Sequence, residues 1–301
     1  MENKIQDLIK KIQSSMPGFS KGQKLIANYI INHYDKAAFM TAARLGDEVG
    51  VSESTVVRFA NEIGFDGYPK LQKVLRELIK SKLTSVQRIE VSSSRINEEN
   101  ILKSVLQSDM EKVKVTLEEI DQTSFNNIVD SILNAKMIYI LGVRSSSALA
   151  SFLGFYFNLI FDNVRLVHTT SVSEMFEQII HAAEGDVILG ISFPRYSKRT
   201  INAMKFGKRQ GATVVAITDS LDSPLAENSD YILTARSDMA SFVDSLVAPL
   251  SVINALIVAV GMRRKQHVYD TFGRLEKIWD EYNVYEKYDS YNDELELGKE
   301  D

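Results

Sequence analysis

Apolar residues recur at helical spacing in the first part of the chain, as Leu25, Ile26, Tyr29 and Ile30 and again as Leu71, Val74, Leu75, Leu78 and Ile79. The pattern predicts an all-α unit over residues 1–83. The next stretch, 84–100 (TSVQRIEVSSSRINEEN), is polar and serine-rich and reads as a linker. Two helices are then expected, one with Ile101, Val105, Val113 and Leu117 among its apolar positions and one near 125–133. From Lys136 the pattern changes to short apolar runs at 137–142, 164–168, 186–192, 213–218 and 231–235, with helical segments between the first four. This alternation predicts an α/β unit with a five-stranded parallel sheet covered on both faces. It extends over 101–288, with long helical patterns from about 241, and residues 289–301 form an acidic tail.

Inside the first unit, residues 41–61 (TAARLGDEVGVSESTVVRFAN) have the layout of a helix-turn-helix. Thr41 can cap a helix ending near Val49, Gly50 supplies a left-handed turn residue, and Ser52 can cap a second helix from Glu53. At about 100° per residue, Val56, Phe59, Ala60 and Ile63 share a buried face, and the small Gly46 lets the helices cross closely. A recognition helix reads bases from its N-terminal part. The expected DNA-facing set is therefore Ser52, Ser54, Thr55, Val57 and Arg58, with Lys70 and Lys73 as backbone contacts.

Charge supports this reading only when divided. The 301 residues carry a net −5, but residues 1–83 hold 13 Lys/Arg against 9 Asp/Glu, so the basic share lies with the helix-turn-helix. The absence of cysteine removes disulfides, thiol catalysis and thiolate metal sites, and His33, His168, His181 and His267 have no ligand spacing. No metal or cofactor is expected. The amphipathic N-terminus lacks a signal-peptide core, and the apolar stretch around 252–260 is too short to span a bilayer. A cytoplasmic protein with no membrane partner is the expectation.

The α/β unit offers two loops suited to an anion. The first strand runs into GVRSSSALA (142–150), where Arg144, Ser145 and Ser146 stand at a helix start. The third ends at Ser192 and continues through Arg195, Tyr196, Ser197, Lys198, Arg199 and Thr200 into another helix. Helix N-termini present N–H groups and a positive dipole end, and in open parallel sheets ligands bind beyond the carboxyl ends of the strands. Arg144, Ser145, Ser146, Ser192, Arg195, Ser197 and Thr200 form the expected ligand set.

These motifs, together with SESTVVRFANEIGFDGYPKLQ and GATVVAITDSLDSPLAENSDYIL, resemble the RpiR/MurR family of bacterial transcription regulators over nearly the whole chain. The resemblance implies a helix-turn-helix domain joined to a SIS (sugar isomerase) domain of flavodoxin-like type. It also implies a phosphorylated sugar effector that alters binding of a homodimer or homotetramer to an inverted-repeat operator. Ser146 matches the family's phosphate-binding serine. Two departures stand out: Arg144 occupies a usual glycine position, and FPRY lengthens the second loop. Two guanidiniums there suit an effector more anionic than a sugar monophosphate; alternatively, Arg144 pairs with Asp219 or Asp222 and only shapes the pocket.

Two other functions compete. An active aldose–ketose isomerase would need a base near the sugar carbons, for which Glu174, Glu177, His168 and His181 are available, though in no catalytic motif. A nucleotide-binding module would call for G-x-G-x-x-G or a P-loop string, and neither follows any strand. The reading is a regulator rather than an enzyme.

Overall fold

The computed structural model describes residues 2–79, 86, 88–89, 100–169, 171–237 and 243–286. The boundary expected at 83, most of the linker, the residues at 238–242 where the late helix was expected to begin, and the acidic tail lie outside these.

The first unit is helical throughout. Helices α1 (Glu2–Ser15), α2 (Lys21–Asn32), α3 (Tyr34–Ala37), α4 (Ala42–Val49), α5 (Glu53–Glu62) and α6 (Tyr68–Ile79) enclose one core, in which Ile26, Ile30, Leu45, Val56, Phe59, Ile63 and Leu71 are inaccessible or nearly so. Sequence punctuation sets the helix starts. Ser20 and Gln23 form a reciprocal capping box on α2, and the Thr41 hydroxyl accepts from the Arg44 N–H at 3.2 Å at the head of α4.

The second unit begins with α7 (Ile101–Glu119) and α8 (Gln122–Leu133) and then alternates: β1 (Ile138–Gly142), α9 (Ser146–Ile160), β2 (Val164–Val167), α10 (Val172–Ile179), β3 (Val187–Ile191), α11 (Lys198–Arg209), β4 (Thr213–Thr218), β5 (Tyr231–Thr234), α12 (Val247–Arg263) and α13 (Lys265–Glu281). Only a short 3₁₀ turn at Ala226–Asn228 lies between β4 and β5. All pairs are parallel, in the order β2-β1-β3-β4-β5. This is the flavodoxin-like order expected from the resemblance, with its switch point between β1 and β3.

Side-chain alternation divides the sheet between two cores. Ile138, Ile140, Leu189, Ile191, Val215 and Ile217 join α8, α9 and α12, whereas Tyr139, Leu141, Ile188, Val214 and Ala216 join α10 and α11. Burial on both faces explains why the strands read as continuous apolar runs.

One expectation fails on α7. Ile101 and Leu117 are exposed, Leu117 at 76%, while Lys112 and Thr116 are buried. The inward face of this helix meets polar partners: Thr116 Oγ1 accepts from the Arg236 N–H, Arg236 pairs with Glu119, and Asp109 accepts from Lys112 and from Ser245. Val105 and Val113 are half-buried, so the apolar positions of this helix divide between the two faces. Helix α12 buries Val252, Ile253, Leu256, Ile257 and Val260 in the chain's own core and leaves Val247, Leu250, Val258 and Met262 exposed. Among the described residues no single helix is long and apolar enough to cross a membrane; α12 and α13 qualify only together, and they meet at a 97° bend.

Candidate functional site

The helix-turn-helix takes its shape from two glycines. Gly50 stops α4 in the left-handed region at φ 73°, where a Cβ is disfavoured. A Cβ on Gly46 would come within 2.6 Å of the Val51 carbonyl oxygen, so only hydrogen permits the turn to pass so closely. Ser52 occupies the N-cap position of α5, but its hydroxyl caps no backbone N–H; it contacts the Ser54 and Thr55 hydroxyls at 3.0 and 2.9 Å. These three hydroxyls form one small cluster.

Of the expected reading set, Ser52, Ser54 and Arg58 are exposed, as are Lys70 and Lys73. Thr55 and Val57 are only half-exposed. The Thr55 methyl faces Gly22 of α2, and Val57 rests against the helical core. Arg58 Nε donates to the Ser54 carbonyl at 3.3 Å, which lays the guanidinium along the outer face of α5.

Sequence reasoning missed what supports this element from behind. Tyr68, Gln72 and Arg76 lie on one face of α6, spaced four apart. Tyr68 donates to the carbonyls of Ala37 and Met40, Gln72 to Met40, and Arg76 to Ala38 at 2.9 Å. They hold the turn that leads into α4. Burial pushes the Tyr68 hydroxyl well above the usual phenol range, so it remains a donor.

The second site follows from strand register. Gly142 at the end of β1 pairs with Ile191 at the end of β3, so the two loops picked from the sequence leave the sheet side by side at the switch point. A Cβ at Gly142 would lie 2.5 Å from the Ser146 carbonyl, so glycine lets α9 begin directly against the strand end. The loops border a cleft of about 810 Å³. Arg144, Ser145, Ser146, Ser192, Arg195 and Ser197 all line it, together with Tyr196, Lys198 and Arg199. Thr200 does not. It is fully buried one turn into α11, with its N–H bonded to the Ser197 hydroxyl at 3.4 Å and its own Oγ1 bonded to no described residue.

Hydrogen bonds fix the second loop internally. The Ser192 hydroxyl accepts from the Ser197 N–H at 3.1 Å, closing an arch over the four residues between them. Within it Phe193 is buried in the core with β1 and α9, and Tyr196 donates to Asp219 at 2.8 Å beyond β4. The FPRY extension is therefore anchored at both ends. Its turn is made by Arg195 at φ 69°, and Arg144 in the first loop has φ 56°. Among the described residues only Asn283 otherwise takes positive φ without being glycine. Left-handed backbone costs a residue with a Cβ about 1–2 kcal/mol, and such strain gathers at functional sites. The Arg144 guanidinium is exposed and makes no ion pair with Asp219, Asp222 or any other described residue, so the alternative pairing is not observed.

Four further lining residues were not foreseen: Arg88 from the stretch between α6 and α7, and Val243, Asp244 and Leu246 ahead of α12. Nothing in local sequence marks them, since Arg88 and Asp244 meet across 156 positions. The residues weighed for isomerase chemistry lie elsewhere. Glu174 accepts from Thr169 at the start of α10, and neither it nor Glu177, His168 or His181 borders the cleft, whose one carboxylate among the described residues is Asp244.

Fold and sites thus define a helical unit with a helix-turn-helix followed by a doubly wound domain with a hydroxyl- and cation-lined cleft. The family model described as "Helix-turn-helix domain, rpiR family" matches residues 6–82, and that of the SIS domain matches 131–259. The chain belongs to the RpiR family and is a transcriptional regulator of that type, with a C-terminal SIS domain. It is 26% identical over 284 residues to the HTH-type transcriptional regulator HexR of Escherichia coli, covering 91% of this chain and 95% of that one. An uncharacterized HTH-type transcriptional regulator of Clostridium perfringens is 27% identical over 235 residues, 76% and 82% of the two chains. Among solved structures, the Vibrio vulnificus NanR protein complexed with ManNAc-6P aligns with a TM-score of 0.54 at 22% identity, covering 91% of this chain and 98% of that one.

Proposed function

We propose that the cleft at the β1/β3 switch point holds a phosphorylated sugar or sugar acid without converting it, and that its occupancy changes operator binding by the helix-turn-helix. The observation that carries this reading is the pairing of Gly142 with Ile191, which brings the N-termini of α9 and α11, the hydroxyls of Ser145, Ser146, Ser192 and Ser197, and five cationic side chains to one cleft. A phosphate there meets helix dipoles and charged donors together. The NanR relative was solved with ManNAc-6P, a ligand of the same class. The Arg144 guanidinium, which pairs with no described carboxylate, favours an effector bearing a second negative group.

Turnover would need a proton-moving group at the sugar; among the described residues no histidine or glutamate borders the cleft, and its one carboxylate, Asp244, is engaged by Arg88. Binding as a homo-oligomer to an inverted repeat is supported by the outward stripe of Leu102, Leu106, Met110 and Leu117 on α7, which a second copy would cover.

Calorimetric titration of the full chain with glucose 6-phosphate, 6-phosphogluconate and fructose 1,6-bisphosphate tests the reading. 6-Phosphogluconate and fructose 1,6-bisphosphate, which carry a second anionic group, should bind more tightly than glucose 6-phosphate, and Ser146→Ala and Ser197→Ala should weaken them while leaving ligand-free DNA binding nearly intact. Isomer interconversion by the purified protein that disappears in Glu174→Gln or His168→Asn would refute the non-enzymatic assignment.

A further inference from the structure

Arg88 belongs to neither sheet nor helix-turn-helix, yet its side chain is 2% exposed and lines the cleft. Its Nη1 donates to Asp244 Oδ1 at 2.6 Å, and Asp244, 17% exposed, lines the same cleft. The two ends of this ion pair are held differently. Beside Asp244, the Ser245 hydroxyl donates to Asp109 of α7, the Ser237 hydroxyl donates to the Ser245 carbonyl, and Asp109 also accepts from Lys112. The segment that carries the carboxylate is thereby tied to the α/β unit. The guanidinium is carried by the stretch of chain that leads back to α6 and the DNA-reading helices.

We propose that Arg88 is an effector-contacting residue, held by Asp244 when the cleft is empty, so that an entering anion and Asp244 compete for one guanidinium. The proposal rests on the reading of the cleft as an anion site. An anion there is attracted by Arg88 and repelled by Asp244. A buried ion pair is only marginally favourable against desolvation, so a phosphate offering bidentate charge-assisted bonds is an adequate substitute. Arg88 is thus where occupancy of the cleft reaches the chain between the domains, because a change of partner shifts the segment that carries it.

The test is calorimetric titration of the full chain with 6-phosphogluconate and inorganic phosphate. Arg88→Ala should weaken binding about ten- to a hundredfold, the range for a hydrogen bond to a charged group, with Arg88→Lys in between. Asp244→Asn should strengthen binding severalfold by releasing the guanidinium, and this gain should vanish in the Arg88→Ala/Asp244→Asn double variant. Amide exchange around residues 86–89 should change when 6-phosphogluconate is added to the wild type and stay unchanged in Arg88→Ala. Should Arg88→Ala not fold, the sign of the Asp244→Asn effect and the Arg88→Lys affinity decide. Wild-type binding that is weakened by Ser146→Ala but unchanged or weakened by Asp244→Asn overturns this proposal alone. Failure of the wild type to bind either probe overturns the anion-site reading and this proposal with it.

Discussion

Replacing Arg144 with glycine should make the protein more stable and bind its effector less well, because the residue combines a strained backbone with a charged side chain aimed for use. At φ 56° a Cβ adds about 1–2 kcal/mol of strain, which glycine relieves. Glycine also gives the unfolded chain more freedom, which returns about 0.5–1 kcal/mol of the gain. Little else is lost, since the two bonds that Ser147 makes to residue 144 go to its carbonyl oxygen and the guanidinium has no described partner. The net expectation is a gain of about 0.5–1 kcal/mol, or roughly 1–4 °C in Tm for a domain of this size. Arg144→Ala is the discriminating control: it removes the same charge but keeps the Cβ and its strain. Scanning calorimetry should rank glycine above alanine and wild type, while titration with 6-phosphogluconate should show both variants weakened alike. A glycine variant no more stable than the alanine variant would refute the strain argument, and undiminished affinity in both would remove Arg144 from the ligand set.

Two further outcomes concern the DNA-reading unit. Gly46→Ala places a carbon 2.6 Å from the Val51 carbonyl, so the turn must open; a loss of about 1–3 kcal/mol of stability and of DNA binding is expected, read by thermal denaturation and gel shift. Arg58→Ala should cost about 1–3 kcal/mol of operator affinity and relax preference at one base pair, whereas Lys70→Ala and Lys73→Ala should each weaken all sequences similarly and reduce the salt dependence by about one unit. Equal effects of Arg58→Ala on operator and random duplex would place Arg58 on the phosphates instead.

What the sequence determined by itself was whatever depends on neighbours in the chain. Thr41, Gly50 and the Val56, Phe59, Ala60 and Ile63 face were legible because capping, left-handed turns and helical periodicity act over a few residues. The five strands were legible because parallel strands buried on both faces read as apolar runs. Even here burial departed from pattern: Leu25 and Val74 fit the helical period yet are exposed, and α7 turns its leucines outward over a buried lysine.

Only the tertiary structure decided matters of register and of meetings across the chain. That the β1 and β3 loops open into one cleft follows from Gly142 standing opposite Ile191, which hydrogen-bonded strand order sets and no local spacing reveals. The left-handed backbone of Arg144 and Arg195 was hidden because side-chain type argues against it; surrounding contacts, such as Phe193 in the core and Tyr196 on Asp219, impose it on the second loop. The meeting of Arg88 with Asp244 joins positions 156 residues apart. Local physics chooses helices, turns and strands, but chain closure over such a distance is decided by the packing of the whole.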